Sequence, residues 1–244
     1  LLNDYLTEMT DILMENNGTL DKYIGDAIVA FYGAPLDLKN HELMACRTAI
    51  KMQERLAVLR QQWQEEGDRW PEIVHHMQNR IGINTGKMVT GNMGSESRMN
   101  YTMMGDTVNL AARLESSAKQ YGVYIQLSDS TYEAVKDQVV VRALDFVRVM
   151  GKTEPVKVFE LISEKGQEPE PYKKILPIFH EGLENYFKQD WDKAIEAFKT
   201  ADELEEMFPG RKTNPSRIYI PRCQNFKANP PGDDWDGVWT QTSK

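Results

Sequence analysis

Strand-like segments of this chain occur in neighbouring pairs, and long amphipathic helical patterns separate the pairs. Leu20–Ile24 and Ala27–Tyr32 flank the turn-forming dipeptide Gly25-Asp26, which predicts a β-hairpin. Apolar residues then recur along one face of Asn40–Glu66, which predicts a long helix. Strands that pair locally between helices favour the α+β class, a sandwich in which helices cover a mostly antiparallel sheet.

The same patterns predict the remaining elements of this part of the chain. Residues 1–15 keep helical apolar spacing from the first residue, so we expect a fragment cut inside a helix. A helix is predicted over Asp106–Gln120, ended by Gly122. Two further strand pairs are predicted, Arg80–Asn84 with Lys87–Gly91 and Val139–Val149 with Val156–Ile162.

The charge balance and the cysteine count exclude several classes of protein. With 29 Lys and Arg against 37 Asp and Glu, the net charge is −8, which argues against nucleic-acid or membrane-surface binding. Two cysteines, Cys46 and Cys223, cannot form a disulfide framework, so a reducing compartment is expected. No apolar run approaches the ~20 residues of a membrane span.

Beyond residue 163 the composition divides the chain into three further parts. Residues 164–171 form a short polar linker rich in Glu and Pro, and residues 172–228 are predicted to be a helical extension. Its third helix, Pro215–Ala228, is expected to cover the first two, and residues 229–244 form a Trp-containing tail. Small and large residues alternate here as in a tetratricopeptide repeat: Gly182, Tyr186, Trp191, Ala194, Phe198 and Ala201.

Four stretches carry residues suited to chemistry, although each also has an ordinary structural explanation. Asp26 at a hairpin tip is most often a turn residue, yet its carboxylate could hold Mg²⁺. Asn109 and Arg113 share one helix face, which is either a solvated edge or a grip for a phosphate-bearing ligand. Thr102 lies in a segment that reads as a buried strand end, and Arg148 and Lys152 lie near a turn.

Taken together and in this order, three segments resemble the catalytic domain of class III nucleotidyl cyclases: Thr19–Ile28, Arg80–Gly86 and Tyr101–Glu115. The resemblance runs from residue 1 to about Leu161, and we assign residues 1–163 to this domain. It implies a lyase of signal transduction that converts a nucleoside triphosphate to its 3′,5′-cyclic monophosphate and pyrophosphate. The ribose 3′-oxygen would attack the α-phosphorus in line, assisted by two divalent metals, Mg²⁺ or Mn²⁺.

The resemblance also implies a role for each matching residue. Asp26 matches the second of two metal-binding aspartates, and the first would lie upstream of Leu1, so we expect the 244-residue chain to be inactive alone. Lys22 matches the position that is Lys in adenylyl and Glu in guanylyl cyclases, and Thr102 matches its partner position, so ATP is favoured. Asn109 and Arg113 match the pair that orients the ribose and stabilises charge at the α-phosphate.

One position departs from the family pattern. Met150 stands where the family usually has a lysine for the β- and γ-phosphates, so the grip on the triphosphate should weaken unless Lys152 or Arg148 substitutes. This departure and the missing aspartate keep a rival open, a catalytically silent cyclase-fold module for dimerisation or nucleotide sensing. A second rival is a scaffold in which the repeat-like extension binds a partner.

The resemblance implies an assembly as well. Catalytic domains of the family act as head-to-tail dimers, and a chain that carries both sets of site residues implies a homodimer with two symmetric sites. Residues 172–244 resemble tails that follow some bacterial cyclase domains whose N-terminal part is a membrane-bound sensor. We therefore expect a cytoplasmic domain that binds ATP. A membrane-bound sensor of this kind could precede it in the full-length protein.

Overall fold

The computed structural model describes residues 1–147, 156–207, 211–232 and 234–238. The first half contains α1 (Leu2–Glu15), β1 (Thr19–Ile24), β2 (Ala27–Phe31), α2 (His41–Glu65), a 3₁₀ turn (Gly67–Arg69), α3 (Glu72–His75), β3 (Ile81–Ile83), β4 (Val89–Ser95) and β5 (Arg98–Met104). The second half contains α4 (Asp106–Tyr121), β6 (Ile125–Ser128), α5 (Asp129–Val135), β7 (Val139–Val147), β8 (Val156–Glu164), α6 (Glu170–Phe187), α7 (Trp191–Leu204) and α8 (Pro215–Ala228).

A four-stranded sheet in the order β3-β6-β8-β7 forms the centre of the fold. Strands β6, β8 and β7 pair antiparallel, whereas β3 pairs parallel with β6. Two antiparallel hairpins, β1-β2 and β4-β5, complete the strands among the described residues. The predicted α+β class with a mostly antiparallel sheet is confirmed.

The predicted pairing of Arg80–Asn84 with Lys87–Gly91 is wrong. Ile81 of β3 lies opposite Ile125 of β6, and Val89 of β4 lies opposite Met104 of β5. Parallel neighbours need a long crossover connection, and here the β4-β5 hairpin and α4 supply it. A strand as short as β3 carries no local signal of a partner that lies about forty residues away in sequence.

Alternate residues of the sheet face two different layers of helix. Leu43, Cys46 and Ala49 of α2 pack with Leu127 and Phe159 on one face. On the other face Leu110, Leu114 and Ala118 of α4 pack with Leu144 and Val158. Phe159 and Val158 are consecutive yet lie in different clusters, as the two-residue period of a strand requires. The sheet is therefore buried between α2 and α4.

The C-terminal helices form a separate aromatic core. Phe179, Tyr186, Trp191, Phe198 and Tyr219 are all buried there. A Cβ at Gly182 of α6 would lie 2.7 Å from the Phe198 ring, so glycine allows α6 and α7 to pack closely. The six small and large positions singled out in the sequence therefore face one another, while their kinship to a tetratricopeptide repeat stays a prediction.

This helical extension packs against the sheet domain through buried polar contacts. Tyr219 Oη of α8 donates to the Leu144 carbonyl at 2.6 Å, and Arg222 Nη1 lies 2.6 Å from Asp145 Oδ2. Arg142 of β7 forms ion pairs with Glu160 and Glu205. The extension is thus joined to strand β7 by paired charges as well as by apolar packing.

The residues after α8 contain one more packed aromatic residue, Trp235, whose ring centroid lies 5.1 Å from that of Tyr186. Trp239 lies outside the described residues. Over the described part of the chain, no helix has both the length and the apolar character needed to cross a bilayer.

Candidate active site

Two of the predicted site residues, Lys22 and Thr102, meet at the carboxylate of Asp21. Thr102 Oγ1 on β5 donates a hydrogen bond to Asp21 Oδ2 at 2.9 Å. The Lys22 ammonium nitrogen lies 3.5 Å from the same oxygen. The Asp21 side chain is only 3% exposed, whereas that of Lys22 is 50% exposed. A buried anion therefore connects an accessible lysine with a threonine of the neighbouring hairpin.

A β-bulge in β1 produces this arrangement. Leu20 lies opposite Ala30, but Lys22 lies opposite Val29, so Asp21 is an extra residue on β1. A bulge changes the alternation of side chains along a strand, and bulges often occur beside functional sites for that reason. Here consecutive residues differ sharply in exposure, with the carboxylate buried and the ammonium accessible.

Asp21 is the site residue that sequence reasoning did not single out. Its signal was weak but present, because Asp is depleted in strand interiors and this one lies between an apolar residue and Lys22. Its second oxygen, Oδ1, is buried and has no hydrogen-bond partner among the described residues. An unpaired buried carboxylate oxygen is costly, so its presence calls for a functional explanation.

Asn109 and Arg113 lie one turn apart on the exposed face of α4, as their spacing predicted. The beginning of this helix is fixed by two hydrogen bonds: Asn84 Nδ2 donates to the Thr107 carbonyl at 2.9 Å, and Thr107 Oγ1 donates to the Lys87 carbonyl at 2.9 Å. Both bonds join the start of α4 to the segment that follows β3. They therefore fix the start of the helix that carries Asn109 and Arg113.

The backbone of strand β3 also packs very closely against the backbone of α4. A Cβ at Gly82 would lie 2.2 Å from the Ala111 carbonyl oxygen and 2.4 Å from the Glu115 amide nitrogen. Only a glycine permits such an approach of strand and helix backbones. The glycine lies in the sequence segment Arg80–Gly86, so that segment sets the position of α4.

Asp26 lies at the exposed tip of the β1-β2 hairpin. Its carboxylate is the ligand type that Mg²⁺ and Mn²⁺ prefer, and its exposure leaves it accessible. No group of three or more His, Cys, Asp or Glu side chains able to hold a metal occurs among the residues described. Asp26 therefore fits one ligand of a divalent cation, and these residues alone do not make a complete metal site.

The remaining site predictions differ in outcome. Asp26 and Lys22 lie at opposite ends of the second half of β1 and its turn, four residues apart in the chain, and both are exposed. Lys152, Met150 and Arg148 lie outside the described residues.

Comparison with known proteins decides the family. Residues 1–163 match the family described as the adenylate and guanylate cyclase catalytic domain. The chain belongs to this family. It is 35% identical over 232 residues to the terminal-differentiation-specific adenylate cyclase of Dictyostelium discoideum, an alignment that covers 93% of the chain and 10% of that protein. It is 32% identical over 162 residues to adenylate cyclase 1 of Rhizobium meliloti, covering 66% of the chain and 24% of that protein.

Two solved cyclase structures are similar to this chain to the same degree. The adenylyl cyclase CyaB from P. aeruginosa has a TM-score of 0.58 at 34% identity, covering 69% of this chain and 83% of that one. The guanylyl cyclase Cya2 also has a TM-score of 0.58 at 34% identity, covering 68% of this chain and 80% of that one. Overall similarity to these cyclases therefore does not distinguish ATP from GTP as substrate.

Proposed function

We propose that this cyclase domain is an adenylyl cyclase, which converts ATP to 3′,5′-cyclic AMP and pyrophosphate. The choice of adenine over guanine rests on one observation. The accessible Lys22 side chain lies beside Thr102, and both side chains contact the carboxylate of Asp21. Adenine N1 is a hydrogen-bond acceptor and suits a lysine donor. Guanine carries a hydrogen on N1 and would need an acceptor there.

Asn109 and Arg113 are proposed to act at the ribose and the α-phosphate. Both side chains are exposed on the first half of α4, whose beginning is anchored by Asn84 and Thr107. The amide of Asn109 would orient the ribose, and the guanidinium of Arg113 would stabilise the negative charge that develops at the α-phosphate during the attack. Donors on a helix whose start is anchored in this way would need little reorganisation of the backbone during the reaction.

Asp26 is proposed as a ligand of Mg²⁺ or Mn²⁺, with two such ions expected at each site. A divalent cation would supply charge neutralisation at the phosphates and lower the pKa of the 3′-hydroxyl. The exposed carboxylate of Asp26 can provide one of the ligands, which supports this assignment. The other ligands are not among its described neighbours.

A homodimer is proposed because Lys22 and Asp26 lie only four residues apart on one hairpin. One would contact the base and the other would bind the metal at the phosphates, and these are opposite ends of a nucleotide. In a symmetric dimer, Asp26 of one protomer and Lys22 of its partner can approach the same nucleotide.

The chain covers 10% and 24% of two curated relatives, so the activity of the whole protein, its activating signal and an upstream membrane-bound sensor are proposals. A cytoplasmic position of the domain is also a proposal. The free and buried thiols of Cys46 and Cys223 are consistent with a reducing compartment.

The test is an assay of both cyclic nucleotides with Mg²⁺ or Mn²⁺. It uses this chain and an extended form, which adds at the N-terminus the strand expected to carry the first metal-binding aspartate. We expect the extended form to produce cyclic AMP from ATP and little cyclic GMP from GTP, and the 244-residue chain to stay at background. Equal turnover of ATP and GTP by the extended form would refute the proposed substrate.

A catalytically silent nucleotide-binding module is the second candidate, and Met150 in place of a phosphate-binding lysine favours it. The same assay separates the two when nucleotide binding is measured by calorimetry alongside it. Binding of ATP with no cyclic AMP formed by the extended form would establish the silent module.

A further inference from the structure

We propose that Asp21 is a specificity-determining residue, which selects ATP by fixing the direction of the Thr102 hydroxyl hydrogen. This inference rests on the proposed adenylyl cyclase activity and assigns part of its base selectivity to a third residue. The geometry that carries it is the 2.9 Å hydrogen bond from Thr102 Oγ1 to Asp21 Oδ2.

A threonine hydroxyl has one hydrogen and two lone pairs, and it can rotate to donate or to accept. A carboxylate only accepts, so the bond to Asp21 must use the hydroxyl hydrogen. With that hydrogen engaged, Thr102 Oγ1 has only lone pairs left for another partner. The residue next to the base is thereby made an acceptor.

The two purine bases differ at the group that such an acceptor would meet. Adenine carries an exocyclic amine at C6, which donates hydrogen bonds, whereas guanine carries a carbonyl oxygen there, which accepts them. An acceptor with a fixed orientation pairs with the amine and leaves the carbonyl facing another lone pair. A hydroxyl free to rotate would accommodate both bases and would not discriminate between them.

The same carboxylate also positions the second base-reading group. The Lys22 ammonium lies 3.5 Å from the oxygen that accepts from Thr102, so one anion holds the donor and the acceptor side by side. Adenine presents an acceptor at N1 beside a donor at C6, which is the complementary order. Asp21 is 3% exposed and its Oδ1 is buried, so it acts through these two side chains without contacting the base.

The β-bulge explains how Asp21 can contact Lys22 and Thr102 at the same time. In a regular strand, consecutive side chains point to opposite faces, and Asp21 could not lie beside Lys22 and beneath Thr102 at once. The extra residue opposite Ala30 and Val29 redirects Asp21 towards β5. The burial of a carboxylate with one unpaired oxygen is a cost that selectivity for the base would explain.

The test compares the ratio of kcat/KM for ATP to that for GTP in the extended form of the protein. In Asp21→Asn the side-chain amide can donate to Thr102 Oγ1, which releases the hydroxyl hydrogen towards the base. We expect the ATP/GTP ratio to fall by ~10-fold or more, mainly through loss with ATP. The isosteric Thr102→Val removes the acceptor itself and should lower the ratio to a similar extent.

A double-substitution cycle separates this role from a structural one. In the Thr102→Val background, Asp21→Asn should lower the ratio by much less than it does in the wild-type background, because there is no hydroxyl left to orient and only the contact with Lys22 is lost. A purely structural role of Asp21 would lower turnover of both nucleotides and the melting temperature together, with the ratio constant, and that result overturns the proposal.

If Asp21→Asn does not fold, Thr102→Val alone still tests the proposal. An unchanged ATP/GTP ratio in Thr102→Val would overturn it as well. A wild-type protein that makes no cyclic AMP, or that uses GTP equally, refutes the proposed function instead. The two failures are therefore distinguishable.

Discussion

Lys22 extends from β1 with half of its side chain exposed and its ammonium beside a buried carboxylate. In Lys22→Glu the new carboxylate would lie next to that of Asp21 and would face adenine N1, another acceptor. Both effects oppose ATP binding, because like charges repel and neither acceptor finds a donor. We expect kcat/KM for ATP to fall by roughly 100-fold in the extended form of the protein.

Lys199→Glu is the matched control for this substitution, because it makes the same change of charge at an exposed position on α7. It should change kcat/KM for ATP by less than about twofold, since an exposed charge that makes no contact with the base is screened by salt. A comparable loss in both variants would show that net charge, and not contact with the base, is responsible.

The amino-acid sequence proposes Lys22, Thr102, Asn109 and Arg113 as site residues, because the short motifs that contain them are specific. Asp21 could not be assigned a role in this way. Its burial and its bond to Thr102 depend on a register shift between β1 and β2, and on the approach of β5, which is distant in sequence. Register and long-range contact are properties of the folded chain.

At the level of elements, the close contact of β3 with α4 fixes the position of the helix that carries Asn109 and Arg113. In Gly82→Ala the new methyl group would overlap the backbone of Ala111 and Glu115, so α4 must move or the strand must bend. We expect a loss of stability of about 1–3 kcal/mol, the usual cost of overpacking. Cyclase activity of the extended form should fall as well, because α4 carries Asn109 and Arg113.

Gly91→Ala provides the matched control, because a Cβ at Gly91 on β4 would have no neighbour within 4 Å. Its stability should remain within about 0.5 kcal/mol of wild type. Urea unfolding and the rate of cyclic AMP formation measure the two effects. Equal stability of the two variants would contradict the close packing of β3 on α4.

The long helices were largely predictable because a local apolar period runs along them, whereas the partner of β3 was not predictable. Strand β3 has three residues, and its pairing with β6 depends on how the intervening hairpin and α4 fold back. A two-residue alternation indicates a strand but says nothing of its neighbour. The error in the pairing of Arg80–Asn84 is therefore of the kind that a local pattern cannot prevent.

At the level of the whole molecule, Asp145 connects the catalytic part to the helical extension. Its Oδ2 accepts from Tyr121 Oη of α4 at 2.7 Å and lies 2.6 Å from Arg222 Nη1 of α8. Burial and the bond to Asp145 act on Tyr121 together, and both raise the pKa of its hydroxyl. The C-terminal end of α4 and the extension thus share one buried anion.

Removal of the cation from this cluster should be costly. Arg222→Met keeps much of the side-chain volume but leaves Asp145 buried without its charge partner, and we expect a loss of about 3 kcal/mol in the free energy of unfolding. The control is Arg217→Met on the same helix, whose partner is Asp202 and whose side chain is 45% exposed. It should cost less than about 1 kcal/mol, measured by urea unfolding. Similar losses in both variants would argue against a buried joint at Asp145.

The proposed dimer is testable by complementation, because it divides each active site between two protomers. In the extended form, Asp26→Ala and Asn109→Ala should each be nearly inactive, since one lacks a metal ligand and the other lacks support for the transition state. When the two variants are mixed and allowed to exchange subunits, mixed dimers contain one site with both residues intact.

The expected recovery follows from the statistics of pairing. About half of the dimers are mixed, and each has one intact site of two, so activity should approach roughly a quarter of wild type. A tagged pull-down establishes that exchange has occurred. If exchange is demonstrated and activity does not recover, Asp26 and Asn109 must serve the same nucleotide from one chain. The hairpin that carries Lys22 and Asp26 would then have to reach both ends of that nucleotide, and the homodimer would lose its basis.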